Sequence, residues 1–141
     1  GRPDMAYFKF TKDIIEGRPI DLYNQGKMQR DFTYIDDIIE GIYRLISIPP
    51  KLTKPKNSKA LAQYNVYNIG NNSPVTLERF IKAIESATGI TAKRNNLPMQ
   101  PGDVPLTFAN VDELIADIGF KPSTSIEDGI KKFVNWYHTY K

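Results

Sequence analysis

The chain of 141 residues contains no cysteine and one histidine, His138. Without thiols it can form neither a disulfide framework nor a thiolate metal site or nucleophile. A lone histidine gives no cluster of metal ligands, so we expect no metal. His138 lies in the last turn of a predicted helix, where a cation suits the helix dipole, and we interpret it as structural. The lack of cysteine fits a reducing cytoplasm, and we expect a cytoplasmic protein.

Long apolar runs and glycine-rich turns are missing as well. No stretch approaches the roughly 20 apolar residues that a membrane span requires, so we expect no membrane partner. No glycines have the spacing that lets a backbone approach the pyrophosphate of a dinucleotide, and we expect no cofactor bound to this chain alone. The sequence starts at Gly1 and opens directly on a motif, which we interpret as the sign of a cut piece or a tag remnant.

The excess of positive charge is small and local. The formal net charge is +3, from 19 basic and 16 acidic residues. A proline- and serine-containing segment without acids holds four of the lysines, Lys51, Lys54, Lys56 and Lys59. Such a segment without interleaved aromatics is typical of a solvated loop, so we expect no nucleic-acid partner. The ordinary apolar and charged fractions, 40% and 25%, predict one globular domain over residues 1–141.

Hydrophobic periodicity predicts an α/β chain with a small mixed sheet and about five helices. Strands are predicted at residues 20–23, 64–69 and 90–97, with a turn at residues 24–26. A first helix is predicted over residues 5–16, and later helices follow N-cap residues that we assign as Thr33, Thr76, Asn110 and Ser125. We interpret Asp36 and Asp37 as ordinary acids of a first helical turn, not as a metal site or a catalytic dyad.

Arg30 lies between the predicted turn and an amphipathic helix. The planar guanidinium of arginine donates two parallel hydrogen bonds to a phosphate or a carboxylate, which makes Arg30 a candidate ligand for an anion. An exposed, solvated side chain is the alternative that the spacing leaves open.

Four motifs together resemble a known family. RDFTYIDD at residues 30–37 resembles the hallmark of extended short-chain dehydrogenase/reductases that act on nucleotide sugars. GRPDMAYFKF at residues 1–10 is similar to the segment of UDP-glucuronate 4-epimerases that follows their active-site half. VYNIGN at residues 66–71 resembles a strand of the family, and QPGDV at residues 100–104 resembles its second nucleotide-contacting loop. The resemblance runs from end to end of this chain but covers only the second half of the family's chain.

The resemblance implies that the complete protein is an NAD-dependent isomerase, a UDP-sugar 4-epimerase. It implies interconversion of UDP-glucuronate and UDP-galacturonate through a 4-keto intermediate, for the precursors of surface or capsular polysaccharide. This chain would be the substrate-binding C-terminal part, without the Rossmann half that holds NAD, without a catalytic residue and inactive alone. Arg30 would hold the pyrophosphate, Leu22 and Tyr23 would lie along the uracil, and Arg2 would close over the nucleotide. Asp103 would reach the ribose, with the capping of its own loop as an Asx turn as the alternative. Gln100 stands where many relatives carry an arginine, and it can form hydrogen bonds but carries no charge.

The missing half has a structural consequence. Residues 34–69 are expected to pack on it, so Ile35, Ile39 and Ile42 would be exposed here and covered by self-association, as in a dimer or other homo-oligomer.

Tyr137 and Lys141 have the spacing of the family's catalytic pair but lie at the chain end. We expect Tyr137 to pack in the core and Lys141 to fray. A UDP-glucose 4-epimerase, a dTDP-glucose 4,6-dehydratase and a non-enzymatic binding module remain alternatives.

Overall fold

The computed structural model describes residues 5–53, 62–99, 101–102 and 104–140. Its helices are α1 (Ala6–Ile15), α2 (Ile35–Ile46), α3 (Leu77–Thr88), α4 (Asp112–Ile118) and α5 (Ile126–Tyr140). Its strands are β1 (Ile20–Tyr23), β2 (Gln29–Arg30), β3 (Leu52–Thr53), β4 (Ala62–Gln63), β5 (Val75–Thr76), β6 (Arg94–Leu97) and β7 (Leu106–Thr107). A single 3-10 turn, Asn24–Gly26, follows β1. The predicted α/β class is confirmed.

The strands form three small sheets. β1 pairs in parallel with β6, with Ile20 opposite Arg94. β2 is the central strand of the second sheet, antiparallel to β5 and parallel to β7. β3 and β4 form an antiparallel pair. Both parallel pairings join the first third of the chain to its last half.

The core lies between α1, α3, α5 and β1. Helix α3 is central, because Phe80, Ile81 and Ile84 on one of its faces are fully buried. Phe80 stacks on Phe32 with ring centroids 4.6 Å apart. Tyr137 of α5 is 1% exposed, which confirms its predicted place in the core, whereas Lys141 lies outside the described residues.

Two predicted helix starts are confirmed in detail. Thr76 Oγ1 accepts a hydrogen bond from Arg79 N at 3.2 Å and caps α3, which ends at Gly89 with φ +70°. Ser125 Oγ accepts from Asp128 N at 3.1 Å and donates to Asp128 Oδ2 at 2.7 Å, a reciprocal arrangement at the start of α5.

The predicted cap at Thr33 is wrong. Helix α2 has Tyr34 at its N-cap position and no side-chain cap. Thr33 Oγ1 instead accepts from Asn71 N at 3.2 Å, because a loop distant in sequence offers that donor. For the same reason Asp37 Oδ2 accepts from the backbone nitrogens of Ser123 and Thr124.

Helix α4 also begins later than predicted. Val111 occupies its N-cap position, although Asn110 Oδ1 still accepts from Asp112 N at 2.9 Å.

The strand predicted at residues 64–69 is absent from the structure. Strand β4 ends at Gln63, and Val66 is 72% exposed. A strand needs a neighbour for its backbone groups, and within the described ranges no segment pairs with these residues. The Tyr67 hydroxyl donates to Asp117, and this bond to a carboxylate raises the pKa of the phenol. The strand predicted at residues 90–97 is shorter than expected and starts at Arg94.

Helix α2 exposes an apolar face. Ile35, Ile39 and Ile42 are 57%, 56% and 48% exposed, and Ile46 is 75% exposed. The exposure predicted for the first three is therefore found. Gly41 alone is buried in this helix, since it lies against the side chain of Ile69. Across the part of the chain that the structure describes, no helix is long and apolar enough to cross a membrane.

Candidate functional site

The site is built on β2, whose backbone is fixed on both sides. Gln29 N donates to Pro105 O at 2.8 Å. Arg30 stands opposite Val75 of β5 and Thr107 of β7. A central strand allows little movement of its backbone, so the root of the Arg30 side chain is held by two neighbours.

Within the described residues, the guanidinium of Arg30 is anchored through a single nitrogen. Nη1 donates to Gln29 O at 2.8 Å and to Val104 O at 2.6 Å. Among the described residues Arg30 has no ion pair with a carboxylate, and its Nε and Nη2 donate to no group. The Nε and Nη2 hydrogens point in parallel along one edge of the plane. This is the edge that binds phosphate or carboxylate bidentately, and no described residue occupies it.

A turn supports the segment that follows Arg30. Asp31 accepts hydrogen bonds from Asn72 N at 2.9 Å and from Ser73 N at 3.2 Å, one at each carboxylate oxygen. Thr33 binds Asn71 N in the same way. Asn72 has φ +50°, a left-handed conformation that asparagine tolerates. Three successive backbone N–H groups of residues 71–73 thus face the chain that leaves β2.

Strand β1 pairs along one edge, with β6, and no other described strand pairs with its second edge. Ile20 N donates to Lys93 O at 2.8 Å, and donors alternate between the two edges of a strand in parallel pairing. The N–H groups of Asp21 and Tyr23 therefore point away from β6. Leu22 is 2% exposed, so its side chain packs in the core and only its backbone is available to a ligand. Tyr23 is half-buried at the end of the strand.

The turn after β1 is confirmed. Asn24, Gln25 and Gly26 all have positive φ angles, +50°, +53° and +75°. Glycine adopts such angles without strain, and asparagine does so more readily than most residues. This turn brings the chain from the edge of β1 back into β2.

The six predicted substrate residues divide into two groups. Leu22, Tyr23 and Arg30 lie on β1 and β2, whereas Arg2, Gln100 and Asp103 lie outside the described residues. Val104 is the last residue of the QPGDV motif at residues 100–104. Its carbonyl contacts Arg30, so the end of this motif lies against the guanidinium. Val104 and Asp31 are not among the predicted site residues, since their contacts depend on residues far away in the chain.

The described residues contain no group of three or more histidine, cysteine or acidic side chains that could hold a metal ion. They also contain no glycine-rich turn leading from a buried strand into a helix, the feature with which a protein holds a dinucleotide. The residues present therefore do not fit NAD, and no chemical step through it is assigned to them.

Comparison with known proteins decides the family. Residues 1–70 match the family model described as NAD dependent epimerase/dehydratase family. The chain belongs to this family.

Individual relatives match almost the whole chain. Protein CapI of Staphylococcus aureus is 55% identical over 99% of this chain and 44% of its own length. A probable UDP-glucuronate 4-epimerase of Rhizobium meliloti is 51% identical over 97% of this chain and 42% of its own length. The chain thus spans less than half the length of these relatives and corresponds to their C-terminal part.

The fold is found in solved structures too. The crystal structure of UDP-glucuronic acid 4-epimerase from Bacillus cereus, in complex with UDP-glucuronic acid and NAD, superposes with a TM-score of 0.80. The two sequences are 27% identical, and the match covers 99% of this chain and 41% of the other.

Proposed function

We propose that this chain is the substrate-binding C-terminal part of an NAD-dependent UDP-sugar 4-epimerase. The observation that carries the proposal is the open Nε/Nη2 edge of Arg30, a charge without a carboxylate partner among the described residues. A diphosphate supplies the paired oxygens that such an edge binds. The relatives named as UDP-glucuronate 4-epimerases support the choice of ligand.

The other predicted residues take roles around this contact. The backbone edge of β1, with the ring of Tyr23, would lie along the uracil, and Leu22 would contribute its backbone alone. Arg2 would close over the nucleotide, Asp103 would reach the ribose, and Gln100 would add a neutral hydrogen-bonding group. This part of the enzyme binds and orients the sugar nucleotide, and we assign none of its residues to proton transfer.

Within this class we propose UDP-glucuronate and UDP-galacturonate as the substrate pair. The Bacillus cereus relative was solved with UDP-glucuronic acid, which supports this choice. From the resemblance of the motifs we further place the product in the supply of precursors for surface or capsular polysaccharide, made in the cytoplasm.

The nucleotide-binding half of the complete enzyme would cover residues 34–69. The exposed isoleucines of α2 and the unpaired segment at residues 64–69 support this proposal. An apolar helix face and a segment without a strand partner are both satisfied when a sheet packs beside them.

Titration calorimetry on the full-length enzyme tests the role of Arg30. Arg30→Ala should weaken binding of UDP and UDP-glucuronate about tenfold or more, because a bidentate charge-assisted contact is lost. Arg18→Ala is the matched control, since the Arg18 guanidinium is already held by Asp13 at 2.6 Å. Equal affinities of the Arg30→Ala variant and the wild type would refute the proposal.

The 141-residue chain alone should not epimerise UDP-glucuronate. A hydride carrier and a general base are both required for this reaction, and neither is assigned to this chain. Purified chain incubated with UDP-glucuronate and NAD should yield no UDP-galacturonate by chromatography. Turnover above that of a heat-denatured sample would contradict the division of roles proposed here.

A further inference from the structure

Asp31 directly follows Arg30, yet the two opposite charges do not pair. Both Asp31 oxygens accept backbone N–H groups of the turn, at 2.9 Å from Asn72 N and 3.2 Å from Ser73 N. Consecutive residues of an extended chain project to opposite sides, which separates this carboxylate from the guanidinium. Asp31 is half-buried, and its bonds are correspondingly better protected from water than those of an exposed acid.

The turn is shaped to receive this carboxylate. Successive N–H groups with a left-handed residue among them form a concave site for an anion, and Asn72 supplies that conformation at φ +50°. Gly70, just before the turn, leaves no room for a side chain. A Cβ atom there would lie 2.8 Å from the Ala109 Cβ and 3.2 Å from Asp31 Oδ2.

The turn leads directly into β5, and β5 pairs with Arg30 through Val75. The position of the turn therefore sets the strand on one side of Arg30. A free Asp31 carboxylate would also compete for the guanidinium, and an arginine already paired with a carboxylate binds a phosphate weakly.

We propose that Asp31 is a positioning residue for Arg30. Engaged by the N–H groups of residues 72 and 73, its carboxylate leaves the guanidinium unpaired and fixes the strand that aims it at the diphosphate. This inference rests on the proposed function, in which Arg30 binds that diphosphate.

The test compares a ligand with a diphosphate and one without. Affinities of the full-length enzyme for UDP and for uridine are measured by calorimetry in Asp31→Asn, Arg30→Ala and the double variant. Asparagine is neutral and accepts at one oxygen instead of two, so Asp31→Asn loosens the turn without creating a competitor for the guanidinium. This variant should weaken UDP about tenfold and change uridine by less than about twofold, because only the contact between Arg30 and the diphosphate is affected. In the Arg30→Ala background the same substitution should have no further effect on UDP.

Asp37→Asn is the matched control. Asp37 also accepts two backbone N–H groups, from Ser123 at 3.1 Å and Thr124 at 2.9 Å, but these belong to the segment before α5 and not to the turn at residues 71–73. This variant should leave the ratio of UDP to uridine affinity at the wild-type value. Thr33→Val, which removes the acceptor of Asn71 N while keeping the shape, is a milder probe of the turn. It should weaken UDP about threefold and spare uridine.

Two results would overturn the inference. One is an equal loss of UDP and uridine in Asp31→Asn, and the other is a loss of UDP that persists in the double variant. If Asp31→Asn does not fold, Thr33→Val decides, and an unchanged UDP affinity in it overturns the inference. Normal UDP affinity in Arg30→Ala would instead refute the proposed function, so the two failures are distinguishable.

Discussion

Thr33 and Thr76 both precede a helix, but only Thr76 caps one. The Thr76 hydroxyl meets Arg79 N within its own helix, whereas the Thr33 hydroxyl meets Asn71 N from another part of the chain. Threonine can cap a helix or accept a hydrogen bond from a distant segment. Which of the two it does depends on the N–H donor that the fold brings to its hydroxyl. The same holds for Asp31, whose neighbour in sequence is an arginine and whose partners in space are two backbone nitrogens.

Thr76→Ala should lower the free energy of unfolding by about 1 kcal/mol, because the first turn of α3 loses an acceptor for a backbone N–H. Chemical denaturation followed by circular dichroism measures the change. Thr91→Ala is the control, an exposed threonine with no hydrogen bond among the described residues, and should stay within about 0.5 kcal/mol of wild type. A Thr76→Ala variant as stable as this control would show that the cap contributes nothing.

At the scale of elements, α3 and α5 are joined by packing and by one bidentate ion pair. Arg79 Nε and Nη2 donate to the two carboxylate oxygens of Glu127 at 2.8 and 2.9 Å. The hydrogen bonds from Arg79 lower the pKa of Glu127 and raise that of Arg79. Since both side chains are about half exposed, water and salt screen the pair and its contribution is small.

The Arg79–Glu127 pair should make stability depend on pH in the acid range. The folded pKa of Glu127 lies below the unfolded one, so the contribution is complete above the usual glutamate pKa, about 4.3. It is lost as the pH falls through the lower, folded value. Glu127→Gln should lower the free energy of unfolding by at most about 1 kcal/mol at pH 7. It should have no effect at a pH so low that the Glu127 carboxyl of the wild type is protonated in both the folded and the unfolded state.

Urea denaturation at several pH values measures this difference. Glu113→Gln is the control, because Glu113 also lies in the first turn of a helix but has no ion pair in the described part of the chain. A Glu127→Gln effect that matches the control at every pH would mean that the helix dipole alone is responsible.

Elements whose signals lie within one short segment were predicted well. Prediction failed where the structure depends on contacts between distant segments. Helix α3 carries its cap at Thr76, its buried face and its terminal Gly89 within one short segment, so its bounds follow from the sequence. The segment at residues 64–69 has the composition of a strand, but a strand also requires a partner, which sequence periodicity does not reveal. Arg30 is a candidate because of its own neighbourhood in sequence, whereas the contacts of Asp31 and Val104 join distant parts of the chain.

At the scale of the whole molecule, the apolar face of α2 is a continuous exposed hydrophobic surface. Four of its isoleucines, Ile35, Ile39, Ile42 and Ile46, are about half exposed or more, and Tyr43 is 70% exposed. Isolated apolar side chains on a surface are ordinary, but a continuous helical face marks a contact with another body. We propose the nucleotide-binding half as that body in the complete enzyme, and self-association as its substitute in the 141-residue chain.

Ile39→Asp should therefore reduce both self-association and hydrophobic dye binding of the 141-residue chain, because a charge in the middle of the α2 face opposes its burial. Analytical ultracentrifugation and dye fluorescence measure the two effects. Ile90→Asp, at an isoleucine that is 38% exposed beyond the end of α3, should change neither. A wild-type chain that remains monomeric at high concentration and binds no dye would contradict this prediction.

The parallel pairing of distant strands also governs the order in which the molecule can be completed during translation. Arg30 contacts the carbonyl of Val104, 74 positions further along the chain. In the same way β1 pairs with β6, a strand that is synthesised much later. Closing such large loops before any contact compensates the lost entropy is slow. The ribosome must release β7 before Arg30 acquires its second neighbouring strand, so the diphosphate site that we propose at Arg30 is completed late in synthesis.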